Sequence, residues 1–245
     1  MRLCLFSHYL TSMLSTLTVL FISYILGSIP SAIWVGKTFK GVDVRDHGSG
    51  NAGTTNTFRV LGVKYGVTVF AMDFMKGFIP SFWLSVMAFD LFSGPLAPPN
   101  WDVEAFLKIF CGVIAVFGHM FPIFAKFKGG KGVATACGML FGIEPVSIGI
   151  SFSVFAIIVL VTKYVSLASV LSTFLYPINL LVMKFYFGWD IDGSIIVFGI
   201  LVASGIIYKH KSNIQRLLAG TESKVGKAKE KCKENTTDQT EKVRI

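Results

Sequence analysis

The segment GVATACGMLFGI, residues 132–143, decides the fold, because it is apolar but short and ends at Glu144 and Pro145. A Glu-Pro pair is a natural point for a helix to break. Apolar runs long enough to cross a membrane lie near residues 11–36, 66–92, 105–124, 146–162, 164–186 and 193–208. The chain therefore has six spans if the short segment is re-entrant, and seven if the segment crosses.

The charges between the runs distinguish these two topologies. Lys and Arg are frequent between the first two runs, around Lys128, at Lys163 and after Lys209, whereas residues 93–104 contain none. Cytoplasmic loops are enriched in Lys and Arg, and the basic segments all fall on one side only if the short segment crosses. We predict an all-α membrane bundle of seven transmembrane helices, one of them short, with the N-terminus outside and the C-terminus in the cytoplasm.

Composition agrees with a membrane protein and limits other assignments. Of the 245 residues, 53% are hydrophobic and 15% are charged, against about 25% charged in a soluble domain. The net charge of +9 follows from the basic loops and tail, so no nucleic-acid partner is predicted. The four Cys and four His residues are scattered, which predicts no metal site and no cofactor. We expect residues 1–223 to form one transmembrane domain and the Lys-rich residues 224–245 to be a disordered cytoplasmic tail.

The segment GSGNAGTTNTFRVLG, residues 48–62, is rich in hydrogen-bond donors. Its Gly48-x-Gly50-x-x-Gly53 pattern resembles a dinucleotide fingerprint, but it follows a membrane span and has no surrounding βαβ unit. Glycines still allow main-chain N–H groups to approach an anion, and a guanidinium suits phosphate. The candidate donors are Ser49, Asn51, Thr54, Thr55, Asn56 and Arg59. The alternative is a polar loop that caps the next helix.

A second candidate anion site is KFKGGKGVAT, residues 126–135. It is not a Walker A loop, because Ala125 occupies the position of the first required glycine and Gly132 that of the Ser or Thr. Gly129, Gly130 and Gly132 nevertheless surround Lys131 at the start of an apolar helix, where main-chain N–H groups favour an anion. The alternative is a flexible basic loop that only sets the topology.

Two further groups of polar residues lie at the ends of apolar runs. Asp73 and Lys76 are three residues apart and share a helical face. The favoured interpretation is a structural ion pair, and the second is a direct contact with substrate. His210 and Asn213 follow the last run at the same spacing. His210 is as consistent with a structural role as with a functional one.

The chain resembles the PlsY family, the acyl-phosphate-dependent glycerol-3-phosphate acyltransferases of bacterial membranes. The resemblance runs from about residue 27 to residue 226. It rests on six ordered motifs, GSIPSAIWVGK (27–37), GSGNAGTTNTFRVLG (48–62), DFMKG (73–77), GHMFPIFAKFKGGKGVAT (118–135), YVSLASV (164–170) and HKSNIQRLLAGTESKVG (210–226). The H-x-x-x-x-D signature of the acyl-CoA-dependent glycerolipid acyltransferases is missing.

The resemblance implies a multi-pass enzyme of the bacterial cytoplasmic (inner) membrane with seven spans. The enzyme would transfer a fatty acyl group from acyl phosphate to the sn-1 hydroxyl of glycerol 3-phosphate, giving lysophosphatidic acid and phosphate, the first acylation of phospholipid synthesis. A soluble acyl-carrier-protein:phosphate acyltransferase would supply the acyl phosphate, and membrane lipid would hold the acyl chain. The alternatives are a transporter for a phosphorylated solute and a non-catalytic assembly subunit.

The resemblance also implies roles for particular residues. The catalytic set is Ser49, Lys131 and His210. The substrate-binding set is Asn51, Thr55, Asn56, Arg59, Lys76, Gly129, Gly130, Gly132 and Asn213. Within these sets, Arg59, Lys131, His210 and Asn213 are expected to hold glycerol 3-phosphate, and the other loop residues acyl phosphate. Acyl phosphate is already activated, so we expect direct attack by the acceptor hydroxyl and no protein nucleophile.

Overall fold

The structure is a computed structural model that describes residues 2–91 and 102–222, and all regular secondary structure in these residues is helical. The helices in its first half are α1 (Arg2–Gly27), α2 (Ser31–Lys40), α3 (Thr54–Leu61), α4 (Val63–Ile79), α5 (Ser85–Leu91) and α6 (Val103–Met120). Those in its second half are α7 (Val133–Ile143), α8 (Pro145–Thr162), α9 (Val165–Phe185), α10 (Gly193–Lys209) and α11 (Lys211–Leu218).

The main apolar core shows how the helices run relative to one another. It joins the first turns of α6 and α10 to the second halves of α7 and α9, through residues that include Ala105, Ile195, Ile143 and Leu180. The end of α6, the starts of α7 and α9 and the end of α10 therefore lie at the opposite end of the bundle. The connections α6–α7, α8–α9 and α10–α11, which carry quoted motifs, therefore lie at one end of the bundle.

The position of α7 is set by a close helix contact. A Cβ atom at Gly77 would lie 1.9 Å from the carbonyl oxygen of Thr135, and one at Gly138 would lie 1.9 Å from that of Phe74. Small residues allow membrane helices to approach backbone to backbone. Because Phe74 lies near Gly138 and Phe78 near Gly142, α4 and α7 run in the same direction.

Proline positions explain two breaks in the helices. Pro80 begins a π-helical turn, Pro80–Leu84, between α4 and α5, because proline lacks the N–H of a regular helical hydrogen bond. Pro145 is the first residue of α8, and the Glu144 carboxylate accepts hydrogen bonds from the N–H groups of Val146 and Ser147. Glu144 alone thus separates α7 from α8, as the Glu-Pro pair predicts.

Five segments among the described residues are long and apolar enough to cross a membrane: Leu10–Lys40, Val63–Ala88, Val103–Ala125, Pro145–Thr162 and Val165–Phe185. The pair α10–α11, bent by 57°, is a sixth if it counts as one span. The remaining apolar helix is α7, whose 11 residues span about 16 Å. Seven crossings therefore stay a prediction. The predicted tail 224–245 and most of the predicted outer loop lie outside the described residues.

Candidate active site

The first donor-rich loop is held in shape by a buried asparagine. Asn56 is 1% exposed. Its amide nitrogen donates to the carbonyl oxygens of Val44 (2.7 Å) and His47 (3.1 Å), and its amide oxygen accepts from the N–H of Ser49 (2.8 Å). These bonds use both amide hydrogens, so direct substrate binding by Asn56 is replaced by a role in positioning Ser49.

The other predicted residues of this loop leave their side chains accessible. Ser49, Thr55 and Arg59 are exposed, and Asn51 is half-buried. Upstream, Asp43 accepts hydrogen bonds from the Arg45 guanidinium at 2.8 and 3.0 Å. These bonds lower the pKa of Asp43 to about 2. The loop therefore keeps its shape through its own carboxylate and amide groups, while the hydroxyls and Arg59 remain available.

The Gly-Lys loop differs from its predicted role in one respect. The N–H of Gly129 donates to the carbonyl oxygen of Met120 (3.2 Å), and the N–H of Gly130 donates to that of His119 (3.2 Å). Those two amides are occupied by carbonyl groups at the end of α6, so their direct use as anion donors is not supported. Gly132 precedes α7 with φ of +79°, a conformation that glycine adopts without strain. Lys131 is exposed, as are Lys126 and Lys128 of the same loop, and it is the lysine that the three glycines surround.

The two loops pack directly against each other. A Cβ atom on Gly53 would lie 3.9 Å from the Cα of Gly130, and one on Gly130 would lie 3.3 Å from the carbonyl oxygen of Ala52. The 3.3 Å distance at Gly130 is tighter than an ordinary contact and the 3.9 Å distance at Gly53 is an ordinary one, so the two loops lie in van der Waals contact. The contact brings the donors around Ser49 and the cation Lys131 into one neighbourhood, where they can hold phosphate groups.

A buried ion pair lies in the second half of α4, next to the two loops. Lys76 Nζ is 2.7 Å from Asp73 Oδ1, and the two side chains are 6% and 2% exposed. The ion pair favours a structural role for Lys76. Because Lys76 also lines a small pocket with Gly129 and Gly130, substrate binding by Lys76 stays a prediction. His119, which lies in a quoted motif but has no predicted role, is beside the pair, with Nδ1 3.6 Å from Asp73 Oδ1.

A second polar group joins the start of α9 to the end of the described chain. Asn213 Nδ2 donates to Ser166 Oγ (2.8 Å) and to Glu222 Oε1 (2.9 Å). Glu222 also accepts from Ser166 Oγ and, at 2.6 Å, from Arg216 Nε. Hydrogen bonds from Ser166, Asn213 and Arg216 lower the pKa of Glu222 to about 2. Glu222 is thus ionised at neutral pH and organises this group.

His210 lies where the last span changes direction. It ends α10 and precedes α11, and its Nδ1 lies 2.9 Å from the carbonyl oxygen of Ile206. The bend means that His210 and Asn213 do not share one continuous helix, although both lie at the same end of the bundle. If His210 Nδ1 donates to that carbonyl, the imidazole Nε2 is the atom left for a substrate.

Three residues that organise the site have no predicted role in the sequence. They are His119, Ser166 and Glu222, which make the contacts given above. All three occur in the quoted segments, but none has a spacing signal, because their partners lie on segments that are distant in the sequence.

Comparisons with known proteins agree with this arrangement. A family model described as glycerol-3-phosphate acyltransferase matches residues 17–220. The glycerol-3-phosphate acyltransferase of Salinibacter ruber is 46% identical over 214 residues, covering 87% of this chain and 93% of that protein. The glycerol-3-phosphate acyltransferase of Chlorobium phaeobacteroides (strain BS1) is 44% identical over 233 residues, covering 87% and 97%.

Two solved structures are also similar. One is PlsY (YgiH), an integral membrane glycerol 3-phosphate acyltransferase, in its glycerol 3-phosphate form. It matches with a TM-score of 0.64 and 41% identity over 86% of this chain and 96% of that chain. The lysophosphatidic acid form of the same enzyme matches with a TM-score of 0.63 and 40% identity, with the same coverage.

Proposed function

The chain belongs to the glycerol-3-phosphate acyltransferase family, and from that premise we propose that it transfers an acyl group from acyl phosphate to the sn-1 hydroxyl of glycerol 3-phosphate. The products are lysophosphatidic acid and inorganic phosphate. The chain is an acyltransferase and not the transporter or assembly subunit that its composition also allowed. The related structures in glycerol 3-phosphate and lysophosphatidic acid forms support this acceptor and this product.

The observation that carries the proposal is the contact between the two loops at Gly53 and Gly130. Both substrates of the proposed reaction carry phosphate, and one also carries a long acyl chain that must remain in lipid. The two adjoining loops expose Lys131, Arg59 and hydroxyl donors, which can bind the phosphates. The loops lie at one end of an apolar bundle, so the acyl chain can remain in lipid. In acyl-CoA the phosphates lie far from the reacting carbonyl, so an acyl-CoA site would not need a phosphate position next to that of glycerol 3-phosphate.

The chemistry needs orientation more than activation by the protein. The acceptor hydroxyl oxygen attacks the acyl carbonyl carbon, the bond from that carbon to the phosphate oxygen breaks, and phosphate leaves. The hydroxyl proton passes to the departing phosphate, which is the nearest base in a direct attack. Lys131 holds substrate phosphate, and Ser49 donates to the developing oxyanion. Asn51 and Thr55 add donors for acyl phosphate, and Arg59 holds the acceptor.

The second polar group supplies the acceptor side. His210 contacts glycerol 3-phosphate. Asn213 donates both of its amide hydrogens to Ser166 and Glu222, so its amide oxygen is the atom that accepts from a glycerol hydroxyl. Under this proposal His210 orients the acceptor and does not remove its proton. The main-chain carbonyl that faces its Nδ1 favours a fixed ring orientation, which is what an orienting group requires.

Purified protein supplied with acyl phosphate and labelled glycerol 3-phosphate tests the reaction directly. We expect labelled lysophosphatidic acid together with one phosphate released per acyl group transferred. Acyl-CoA at equal concentration should give little product. Comparable turnover with acyl-CoA, or phosphate release without acyl transfer, would contradict the proposed donor.

We further propose seven crossings in the bacterial cytoplasmic membrane, with the loops around Lys40, Lys128 and Lys163 in the cytoplasm. Support comes from the direction of α7, which runs parallel to α4 as a crossing helix would. Single-cysteine variants at these loops and in residues 94–101, labelled from outside intact cells, test this. Labelling of the loop at Lys128 from outside would overturn the seven-span topology. A cytoplasmic site also suits delivery of acyl phosphate by a soluble acyl-carrier-protein:phosphate acyltransferase.

A further inference from the structure

Three ionisable side chains lie buried beneath the two substrate loops, and the proposed reaction uses none of them. Asp73 is 1% exposed, Lys76 is 6% exposed and His119 is 7% exposed. Asp73 and Lys76 belong to α4, and His119 belongs to the last turn of α6. Charged side chains inside a membrane span are costly unless they are paired, and they usually have a function. These three buried side chains therefore need a functional explanation.

Asp73 connects this group to the first loop. Its Oδ1 accepts from Lys76 Nζ at 2.7 Å, and its Oδ2 accepts from Thr54 Oγ1 at 3.3 Å. Thr54 is the first residue of α3 and directly follows Gly53. The carboxylate therefore fixes the point at which the donor-rich loop becomes a helix.

His119 connects the same group to the second loop. Its carbonyl oxygen accepts from the N–H of Gly130 at 3.2 Å. Its ring lies under the same residue, because a Cβ atom on Gly130 would be 2.2 Å from His119 Nε2. The other ring nitrogen faces Asp73 at 3.6 Å. His119 thus supports the Gly-Lys loop from below while resting against the carboxylate that holds Thr54.

We propose that Asp73, Lys76 and His119 form a positioning unit that sets the distance between the two substrate loops. The inference rests on the proposed function, since it assumes that both loops hold substrate. The three side chains are at most 7% exposed and line a small pocket with Gly129 and Gly130, and they reach the two loops through Thr54 and Gly130. Buried ion pairs contribute little net stability, but they can specify one arrangement of their surroundings. A fixed loop separation matters because a displacement of about 1 Å can cost about 100-fold in rate.

A double-mutant cycle between His119 and Gly130 tests this unit. Gly130→Ala places a methyl group against His119 Nε2, so it should lower kcat/KM for glycerol 3-phosphate by about 10- to 100-fold. His119→Ala lowers kcat/KM by itself but removes the obstructing ring. In that background the added methyl should change kcat/KM by less than about threefold, a coupling that distant, independent sites do not show.

Gly129→Ala is the matched control. Its Cβ atom would lie 2.0 Å from the carbonyl oxygen of His119 and 2.6 Å from Pro122 Cδ. Replacement of the His119 side chain leaves both obstructions in place, so Gly129→Ala should be equally harmful in the two backgrounds. Equal, additive losses for Gly130→Ala as well would show that the His119 ring does not set the loop, and would overturn the proposal.

The outcomes separate this inference from the proposed function. Wild-type protein that forms no lysophosphatidic acid contradicts the function, whereas active wild-type protein with additive variants contradicts only the positioning unit. If His119→Ala does not fold, Thr54 supplies the test. Thr54→Val should raise KM for both substrates by up to about tenfold, and Thr54→Ser should restore it. Equal KM values for these two variants would also overturn the proposal.

Discussion

Asp73 and Lys76 pair inside the bundle with side chains that are 2% and 6% exposed, whereas Glu222 and Arg216 pair at its edge with 8% and 48% exposure. Each pair organises one polar group of the candidate site. In the inner group, the carboxylate is bonded to a buried lysine and a threonine hydroxyl. In the outer group, three side chains surround the carboxylate, and the cation faces solvent.

The difference in burial predicts a difference in what each group tolerates. Water can replace the exposed Arg216 at the outer pair, so loss of that partner costs little. No such replacement is available at the inner pair, where removal of one partner leaves a buried charge uncompensated. We therefore expect changes in the inner group to affect folding and both substrates, and changes in the outer group to affect mainly the acceptor.

Asp73→Asn gives the sharpest test and the largest expected effect. It leaves Lys76 charged and unpaired, so the free energy of unfolding should fall by about 3–5 kcal/mol. Thermal and denaturant unfolding in detergent measure this. Glu104→Gln is the control, because it breaks the more exposed Glu104–Lys108 pair (2.6 Å) and should cost at most about 0.5 kcal/mol. Equal losses for the two variants would remove the distinction between buried and exposed pairs.

Lys131→Ala tests substrate binding without affecting folding, in the exposed Gly-Lys loop next to the inner group. The side chain is exposed, so the protein should fold normally. It loses a charged contact to phosphate worth about 1.5–3 kcal/mol, and kcat/KM should fall by about 10- to 150-fold with a raised KM. Lys126→Gln, in the same exposed loop, is the control and should stay near wild type. Equal kinetics for the two variants would show that Lys131 has no special position.

His210→Gln tests the role of the outer region. If His210 orients the acceptor, KM for glycerol 3-phosphate should rise by about tenfold, while kcat at saturation stays within about threefold of wild type. A general base would instead lose about 10²- to 10⁴-fold in kcat with little change in KM. Steady-state kinetics with both substrates varied distinguish the two, and the second pattern would make His210 the base.

The outer carboxylate predicts a pH dependence. The pKa of Glu222 is lowered to about 2, so its contribution to stability is complete above its unfolded pKa of about 4.3 and is lost as the pH falls through the folded value. The Tm difference between wild type and Glu222→Gln should therefore be constant from about pH 8 to about pH 5 and shrink below about pH 4. A difference that changes near neutral pH would contradict this assignment.

Truncation after Gly226 has the smallest expected effect. The removed residues follow the last motif and are rich in Lys and other polar side chains, a composition that cannot form a core. The kcat/KM for both substrates should stay within about twofold of wild type, which lies inside ordinary surface variation of about 0.5 kcal/mol. A folded, membrane-inserted truncation with lost turnover would give the tail a role in substrate delivery.

Much of the architecture could be predicted from local patterns. The apolar runs and the Glu144–Pro145 break gave the helices and the boundary between α7 and α8, because helix length and proline geometry are local properties. The spacing of Asp73 and Lys76 gave their pairing for the same reason. The motifs also gave the family. Seven crossings and the side of each loop stay predictions, because the length and apolar composition of a helix do not show which side of a membrane its ends face.

The roles within the site depended on contacts between distant segments. Sequence spacing could not show that the Gly129 and Gly130 N–H groups donate to carbonyl groups of α6. It also could not show that the Asn56 side-chain amide makes all its hydrogen bonds to its own loop. Nor could it place His119 between Asp73 and Gly130, which are 46 and 11 residues away along the chain. The sequence by itself determined which segments are apolar and where the long helices lie, and it predicts which segments bind phosphate. Only the tertiary structure decided which polar groups remain free for substrate, because hydrogen-bond partners are settled when glycine contacts such as those of Gly77 and Gly138 bring the helices together.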